Sequence, residues 1–239
     1  MDLKDMICRR KSVRSYTDEP VKEEGIAGIL RFVETIKPLY PEIPVRAELV
    51  TKQQVRCMLP WVTPQLVAIY SEKTPGYLEN VGFMFQQLDL YLQSKGLGAC
   101  WLGMGRMASH EREPDGKEFV MLLGFGHPKG TAQRTSVSQF RRKNLGDISD
   151  QHDDRLEPAR LAPSSVNSQP WYFVHDADHI HVYCALRGLF HGGTPMDINL
   201  IDMGIALSHL YLSFPDTFSF FQTKAPQKKG YHYIGSITL

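Results

Sequence analysis

Two stretches of the sequence share one pattern: residues 80–92 read NVGFMFQQLDLYL and residues 201–212 read IDMGIALSHLYL. In each stretch a glycine, Gly82 or Gly204, stands near the start of a run whose apolar residues recur at helical spacing. Helical periodicity alone would produce part of this match, but the order of the flanking segments also repeats. We therefore interpret the chain as a single unit made of two related halves, approximately residues 1–146 and 147–239.

The flanking segments predict the same kind of structure around both helices. Short β-branched or apolar runs bounded by turn residues predict strands, and glycine after the first long run predicts the end of a helix at Gly96. In the first half this gives an amphipathic helix at 23–36, strands at 45–50 and 64–70, a helix at 77–95 and a strand at 119–124. In the second half it gives a hairpin of 171–174 and 179–183, a helix at 195–213 and a strand at 231–239. Mixed helices and strands in this order predict an α+β fold, with the polar run 147–157 as a connection.

The composition is that of an ordinary globular protein, with 42% hydrophobic and 22% charged residues over 239 positions. A net charge of +1 provides no overall field for nucleic acid. The sequence has no uninterrupted apolar span of about 20 residues, so we expect no membrane crossing. Residues 1–6 include acidic residues and no apolar targeting segment, which favours a cytoplasmic location. The scattered cysteines Cys8, Cys57, Cys100 and Cys184 are expected to be buried apolar residues.

The segment RKSVRSY, residues 10–16, is a candidate anion clamp. In an extended chain the alternate residues Arg10, Ser12 and Arg14 project to one side. Guanidinium and hydroxyl groups hold phosphate through charge-assisted hydrogen bonds. The alternative is a solvated basic segment with no ligand.

A second candidate is APSSVNSQPW, residues 162–171, a loop rich in small donors and acceptors. Its Asn167 amide both donates and accepts, which suits the mixed polar edge of a heterocycle. The alternative is an ordinary connection, because serine, asparagine and proline are common in turns.

A third candidate is GLGACWLGMG, residues 96–105, where glycines leave backbone N–H groups uncovered for a ligand. A dinucleotide-binding fingerprint is rejected, because that motif follows a strand and opens a helix. The alternative is a helix stop followed by a tight turn.

Other features are weaker. His179 and His181 point to one face of a predicted strand, but no third ligand is seen at ligand spacing, so no metal is expected. The serine pair of the 162–171 loop lacks the glycine setting of a hydrolase nucleophile. The aromatic run 214–221 is either a pocket wall or core.

Taken together, the motifs resemble the FMN-dependent nitroreductase family. The resemblance rests on residues 10–16, residues 162–171, the predicted helix that runs into 96–103, and LGFGHP at 123–128 followed by RRK at 141–143. The family implies an α+β sandwich with antiparallel sheets. It also implies FMN as cofactor, with NADH or NADPH as co-substrate.

One departure from the family is informative. Family members carry the Pro-Ser-Ser-Asn loop one helix after the Arg-Ser-Arg motif, but residues 36–41, IKPLYP, occupy that place here. In the family homodimer each flavin lies at the subunit interface, with one motif from each subunit. This chain has one of each, in opposite halves. It therefore resembles a single-chain branch with two fused, interlocked subunit-like halves and one flavin site, for which we expect a monomer.

The resemblance implies a role for each matching residue. In the first half, Arg10, Ser12 and Arg14 are expected to bind the FMN phosphate and ribityl chain with Lys11 nearby, and the backbone of Leu102, Gly103 and Met104 to lie near flavin N5. Arg142 and Lys143 are expected as further phosphate partners. From the second half, the residues expected along the ring are Pro163, Ser164, Ser165 and Asn167. No catalytic side chain and no metal ligand are predicted, because the cofactor carries the hydride chemistry.

The implied activity is two-electron transfer from NAD(P)H through FMN to a nitroaromatic, quinone or similar small-molecule acceptor, in alternating half-reactions. Two alternatives stay open from the sequence. One is a flavin-binding or ligand-binding protein without NAD(P)H turnover. The other is a relative that consumes flavin or performs reductive dehalogenation.

Overall fold

The three longest helices and six of the ten described strands occupy segments that the sequence predicts. The computed structural model describes residues 2–58, 63–109, 115–186 and 196–239. Its helices are α1 (Leu3–Ile7), α2 (Glu23–Val33), α3 (Tyr77–Ser94), α4 (Leu145–Ile148), α5 (Glu157–Arg160) and α6 (Asp197–Ser213). Its strands are β1 (Val45–Thr51), β2 (Val55–Cys57), β3 (Gln65–Ser71), β4 (Gly98–Leu102), β5 (Gly105–Met107), β6 (Glu118–Gly126), β7 (Trp171–His175), β8 (Ile180–Ala185), β9 (Ser219–Phe221) and β10 (Tyr231–Thr238).

Two antiparallel sheets have the same connectivity. The first has the strand order β1-β3-β6-β4 and the second has β7-β8-β10-β9. In the first sheet the pair β1 and β3 is followed by α3 and the edge strand β4, and β6 then inserts between β3 and β4. In the second sheet the pair β7 and β8 is followed by α6 and the edge strand β9, and β10 inserts between β8 and β9. The α+β prediction is confirmed.

Strand β3, an inner strand of the first sheet, is buried on both faces. Val67 and Ile69 contribute to the large core that also contains both long helices, whereas Leu66, Ala68 and Tyr70 contribute to a smaller cluster on the opposite face. This division follows from the two-residue repeat of a strand. The large core takes residues from both sheets, so the two halves share one hydrophobic interior.

The long helices α3 and α6 cross at the repeated glycines with their backbones in contact. A Cβ atom on Gly82 would lie 2.1 Å from the carbonyl oxygen of Ile201, and one on Gly204 would lie 1.9 Å from that of Glu79. The contact is reciprocal, because each glycine meets the residue three positions before the other. Only glycine permits this approach, since the neighbouring atoms belong to helix backbone.

Several sequence-based expectations need correction. Strand β4 lies inside the glycine-rich segment 96–105, where no strand was predicted from the sequence, because glycines do not prevent pairing with β6. The connection 147–157 is partly buried, since Ile148 and Leu156 reach the core. The expected start of α6 at Pro195 falls outside the described residues.

The cysteines also differ from expectation. Cys100 and Cys184 are buried, as expected, but Cys8 is exposed and Cys57 is half-buried. None of them forms a disulfide. Within the described residues, no helix is long and apolar enough to cross a membrane.

We expect Gly204→Ala to lower the free energy of unfolding by about 3 kcal/mol, because the new methyl group must push two helix backbones apart. Gly146→Ala is the matched control, since Gly146 lies in α4 and an added Cβ there has no neighbour within 4 Å. The measurement is urea-induced unfolding followed by circular dichroism. Equal stability of the two variants would show that the helices do not depend on this contact.

Candidate functional site

The N-terminal segment 10–16 runs along the edge of the first sheet. Ser12 forms a parallel bridge with Ala99 of β4, and the Val13 N–H donates to the Ala99 carbonyl at 2.9 Å. The approach requires Gly98, where an added Cβ would lie 2.7 Å from the Val13 side chain. The Tyr16 hydroxyl then donates back to the Val13 carbonyl at 2.5 Å. The segment is therefore extended, as predicted, and fixed at both ends.

The structure separates the residues of the predicted anion clamp. Ser12 and Arg14 line a cavity, which is described below. Arg10 instead points inward, where it is 1% exposed and its Nε lies 3.0 Å from Asp89 Oδ2. A second guanidinium nitrogen of Arg10 donates to Ser12 Oγ at 3.3 Å. Lys11 points away from the cavity lining and its Nζ donates to Thr131 Oγ1 at 3.1 Å.

The buried Arg10–Asp89 pair belongs to a longer polar chain through α3. Asp89 also accepts from the side-chain amides of Gln86, at 3.0 Å, and Gln93, at 2.8 Å. The Gln86 carbonyl oxygen accepts from Trp101 Nε1 at 3.3 Å. Because Ser12 and Trp101 both line the cavity, the chain connects two lining residues through the protein interior.

His209 of α6 ends this chain in the second half. Its Nδ1 lies 2.9 Å from the Pro158 carbonyl, which can only accept, so Nδ1 carries the proton and Nε2 accepts from the Gln86 amide at 3.1 Å. Burial lowers the pKa of His209 to about 3. The ring is therefore neutral at physiological pH, beside the charged Arg10–Asp89 pair.

The loop 162–171 has an unusual backbone. Val166, Asn167 and Gln169 have φ values of +46°, +57° and +48°. Positive φ is disfavoured for residues other than glycine, and most strongly for a β-branched residue such as Val166. Strain of this kind persists only where surrounding contacts enforce it, and it concentrates at functional sites.

Those enforcing contacts come from residues on both sides of the loop. Asp202 of α6 accepts from the Ser165 N–H at 3.0 Å. Arg142 donates to Asn167 Oδ1 at 2.6 Å, and the Asn167 amide donates to the Arg141 carbonyl at 2.9 Å. The Lys143 N–H and Nζ donate to Gln169 Oε1 and O at 2.8 and 2.9 Å.

These contacts involve Arg142 and Lys143, which were predicted as phosphate partners, and Asn167, which was predicted to lie along the ring. The structure places Arg142, Lys143 and Asn167 in the frame of the loop rather than in the cavity lining. Burial, followed by the nearby Arg10, Arg134 and Arg160, lowers the pKa of Arg142 to about 10.

A cavity of about 400 Å³ lies where the first and second halves meet. Its polar rim brings together segments that are far apart in the sequence: Ser12 and Arg14, the turn Gly103–Met104 after β4, and Pro163, Ser164 and Ser165 of the strained loop. Leu102, by contrast, is fully buried within the core. Seven of the thirteen predicted site residues therefore line one cavity.

The floor of the cavity was not predicted from the sequence. It consists of Cys100, Trp101, Met121, Ile198, Ile201, Asp202 and Ile205. The three isoleucines lie on one face of α6, at the spacing of a helix. Burial raises the pKa of the Cys100 thiol, so this cysteine is protonated and not a nucleophile.

The donor set fits a ligand such as FMN, which combines an anionic group with a flat heterocycle. Arg14 and Ser12 provide a guanidinium and a hydroxyl, and apolar side chains with the Trp101 ring provide a surface for the heterocycle. The volume is within the range of roughly 300–1,000 Å³ that is typical of small-molecule sites. The one aspartate of the lining, Asp202, accepts hydrogen bonds from the loop and from Asn199.

A contact related to that of Asp202 occurs on α3. Asn80 and Asp202 each stand two positions before the helix-crossing glycine. Asn80 Oδ1 accepts from the N–H groups of Leu39 and Tyr40 at 2.9 and 3.0 Å. Residues 36–41 therefore occupy the place on α3 that the serine-rich loop occupies on α6.

The weaker candidates have mixed outcomes. Phe218 and Phe220 are partly buried against the core, and no residue of the run 214–221 belongs to the cavity lining. The expectation that His179 and His181 lack a third ligand is wrong. The β7–β8 turn brings the Asp176 carboxylate to both rings.

Burial of neutral His209 predicts acid sensitivity. Between pH 6.5 and about 3 the unfolded chain holds a proton on this ring and the folded chain does not, so stability falls as the pH falls. We expect His209→Gln to reduce this dependence by up to about 1.4 kcal/mol per pH unit. Chemical unfolding at several pH values measures it, with His232→Gln at an exposed site as control. An unchanged slope would contradict the assignment.

Comparison with known proteins identifies the family. A family model described as "Putative TM nitroreductase" matches residues 2–214. A Thermotoga maritima structure described as a "putative nitroreductase" is 21% identical, with a TM-score of 0.65, and the alignment covers 100% of this chain and 93% of that one. A search of curated proteins finds no significant match.

Two shorter structures also align. One, from Bacteroides thetaiotaomicron, is named a "Putative NADH dehydrogenase/NAD(P)H nitroreductase" and is 19% identical, with a TM-score of 0.48, over 64% of this chain and 96% of that one. The other, an "FMN-dependent Nitroreductase" from Clostridium difficile, is 15% identical, with a TM-score of 0.45, over 59% and 98%. The family model spans most of the sequence, and on that match the chain belongs to the nitroreductase family.

Proposed function

We propose that this protein is an FMN-dependent oxidoreductase that passes two electrons from NADH or NADPH to a nitroaromatic, quinone or similar acceptor in alternating half-reactions. The observation that carries the proposal is the cavity at which Ser12 and Arg14 meet Gly103, Met104 and the 163–165 segment. These are the residues that the family resemblance assigns to one flavin. The family names of the similar structures point to the same chemistry.

In this proposal different lining residues contact different parts of FMN. Arg14 and Ser12 hold the phosphate, since both are polar and lie at the cavity. Pro163, Ser164 and Ser165 lie along the flavin ring, and the backbone at Gly103 and Met104 lies near its N5 atom. Bound FMN supplies the centre that accepts and gives hydride.

The remaining predicted residues act from behind the lining. Arg10 supports Ser12 through its hydrogen bond, and its charge is balanced by Asp89 inside the protein. Arg142, Lys143 and Asn167 hold the strained loop against the cavity. Leu102 anchors β4, and Lys11 ties the N-terminal segment to Thr131.

The protein's own contribution to the reaction is binding, orientation and exclusion of water. The isoleucine face of α6 and Met121 provide an apolar floor that keeps a ring system away from bulk solvent. The described lining has no histidine, and its one thiol, Cys100, stays protonated. This composition agrees with a reaction in which the proton and hydride pass between bound molecules.

We also propose that the chain is a monomer composed of two fused subunit-like halves, which divide near residues 146 and 147. The equal connectivity of the sheets and the reciprocal glycine contact support this proposal. An interface of this kind inside one chain buries the surfaces that a homodimer would otherwise cover.

The first test is the visible spectrum of the purified chain after FMN addition and desalting, repeated under anaerobic conditions with each nicotinamide. We expect about one FMN per chain and bleaching of the flavin absorption by NADH or NADPH. Steady oxidation of the nicotinamide with an added quinone or nitroaromatic then measures turnover. Flavin that is retained but not reduced would indicate a binding protein, and a chain that retains no flavin would contradict the proposal.

A second test is the double variant Ser12→Ala with Arg14→Ala. Because it removes the hydroxyl and the charge proposed to hold the phosphate, we expect at least a tenfold loss of FMN affinity, or about 1.4 kcal/mol. Fluorescence titration of FMN measures it, with circular dichroism as the check on folding. Arg9→Ala is the control, since Arg9 is a neighbouring exposed cation that lines a different groove. Equal affinity of both variants would exclude the proposed clamp.

A further inference from the structure

The turn between β7 and β8 holds a group of three ligand-type side chains that the proposed flavin function does not use. Asp176 Oδ2 lies 3.6 Å from His179 Nε2 and 3.6 Å from His181 Nε2. All three atoms lie within 4.8 Å of one another. We propose that Asp176, His179 and His181 bind one divalent transition-metal ion of the zinc type, with water completing its coordination.

Local structure explains why these residues meet. His181 lies in β8 and His179 stands two positions before it, so both side chains project from the same face. The Asp176 N–H donates to the His179 carbonyl at 2.9 Å, which closes the turn. The Ala177 N–H occupies Asp176 Oδ1 at 2.8 Å, which leaves Oδ2 directed at the rings.

One nitrogen of the group lacks a hydrogen bond. His179 Nε2 is buried and has no hydrogen-bond partner among the described residues, and Asp176 Oδ2 lies 3.6 Å from it. A buried polar atom without a partner is unfavourable, and such an atom calls for an unseen water or ion. A metal ion between the three ligand atoms satisfies it.

The second histidine has the support that metal-bound imidazoles usually have. His181 is 1% exposed, and its Nδ1 lies 2.8 Å from Ser236 Oγ of β10. Ser236 Oγ in turn lies 2.8 Å from the Tyr233 hydroxyl. A ligating histidine typically engages its other ring nitrogen in this way, which orients the ring and leaves Nε2 free to bind.

The dimensions and chemistry fit a tetrahedral ion. Bonds of about 2.0–2.1 Å to imidazole nitrogen and carboxylate oxygen place tetrahedral ligand atoms about 3.4 Å apart. The two measured 3.6 Å separations are close to that value. Two imidazoles and one carboxylate favour zinc, cobalt, nickel or copper over magnesium and calcium.

The surroundings leave one side of the group open. Asp176 is 55% exposed, whereas the Phe221 ring lies beside His179 with 5.7 Å between ring centroids. Solvent can therefore reach the ion from the Asp176 side. None of the three ligands belongs to the cavity lining, so the site is independent of the flavin proposal.

The test uses the full chain, free of any affinity tag and treated with chelator, with its FMN content unchanged. We expect one Co²⁺ per chain with the visible absorption of a four-coordinate ion, and competition by Zn²⁺ measured by calorimetry. Asp176→Asn and His179→Gln, both at the open rim, should each weaken binding by more than tenfold. Ser236→Ala should weaken it by about tenfold, because it removes only the support of His181.

Two matched controls separate this site from general surface binding. Asp178→Asn removes a carboxylate from the same turn, and His175→Gln removes a histidine that lies between Asp150 and Asp153 instead. Both controls should bind Co²⁺ like the parent chain. Absence of saturable Co²⁺ binding would overturn the proposal. So would Asp176 and His179 variants that bind Co²⁺ as tightly as the parent chain, or control variants that lose as much affinity as those two. Circular dichroism verifies that every variant is folded.

Discussion

The contact between the backbones of α3 and α6 is the constraint on which the rest of the structure depends. At Gly82 and Gly204 the helices lie closer than any side chain permits, and this places the two sheets around one core. The same closeness lets Gln86 of α3 reach His209 of α6 through a single hydrogen bond. A small separation of the helices would break that bond and would also move the isoleucine face of α6 relative to the first sheet.

The candidate site follows from this geometry because its walls come from both halves. The N-terminal segment and β4 form one wall, and α6 with the strained loop forms the other. Behind the first wall, Arg10 and Asp89 place a charged pair out of solvent, an arrangement that is seldom favourable for stability alone. In the second wall, Asp202 accepts from the Ser165 N–H and Arg142 donates to Asn167, and these bonds hold a loop that has positive φ at residues that disfavour it. Each wall therefore contains an arrangement that is unfavourable for stability and that fixes the positions of lining residues, which is typical of a binding site.

Much of this could be predicted from the sequence, where local patterns decide the outcome. The long helices, the paired strands and the reciprocal glycines follow from periodicity and turn residues, and the motif residues Ser12, Arg14 and 163–165 do reach one cavity. Contacts between distant segments could not be predicted. Arg10 looks like a solvent-facing partner of Arg14 until Asp89, from a different element, draws it inward.

The residues that surround α3 differ from those that surround α6 at the equivalent positions, and this difference explains why the described part of the chain has one such cavity. The α6 residues of the cavity floor, Ile198, Ile201 and Ile205, correspond to Gly76, Glu79 and Phe83 on α3, at the same distances from the crossing glycines. There the Tyr40 ring lies against Gly76, where an added Cβ would be 2.8 Å away, and Phe220 meets Tyr40 edge-on at 5.5 Å between centroids. Phe218 covers Phe83. Aromatic side chains thus fill on α3 the space that remains open on α6, although the two helices cross at equivalent glycines.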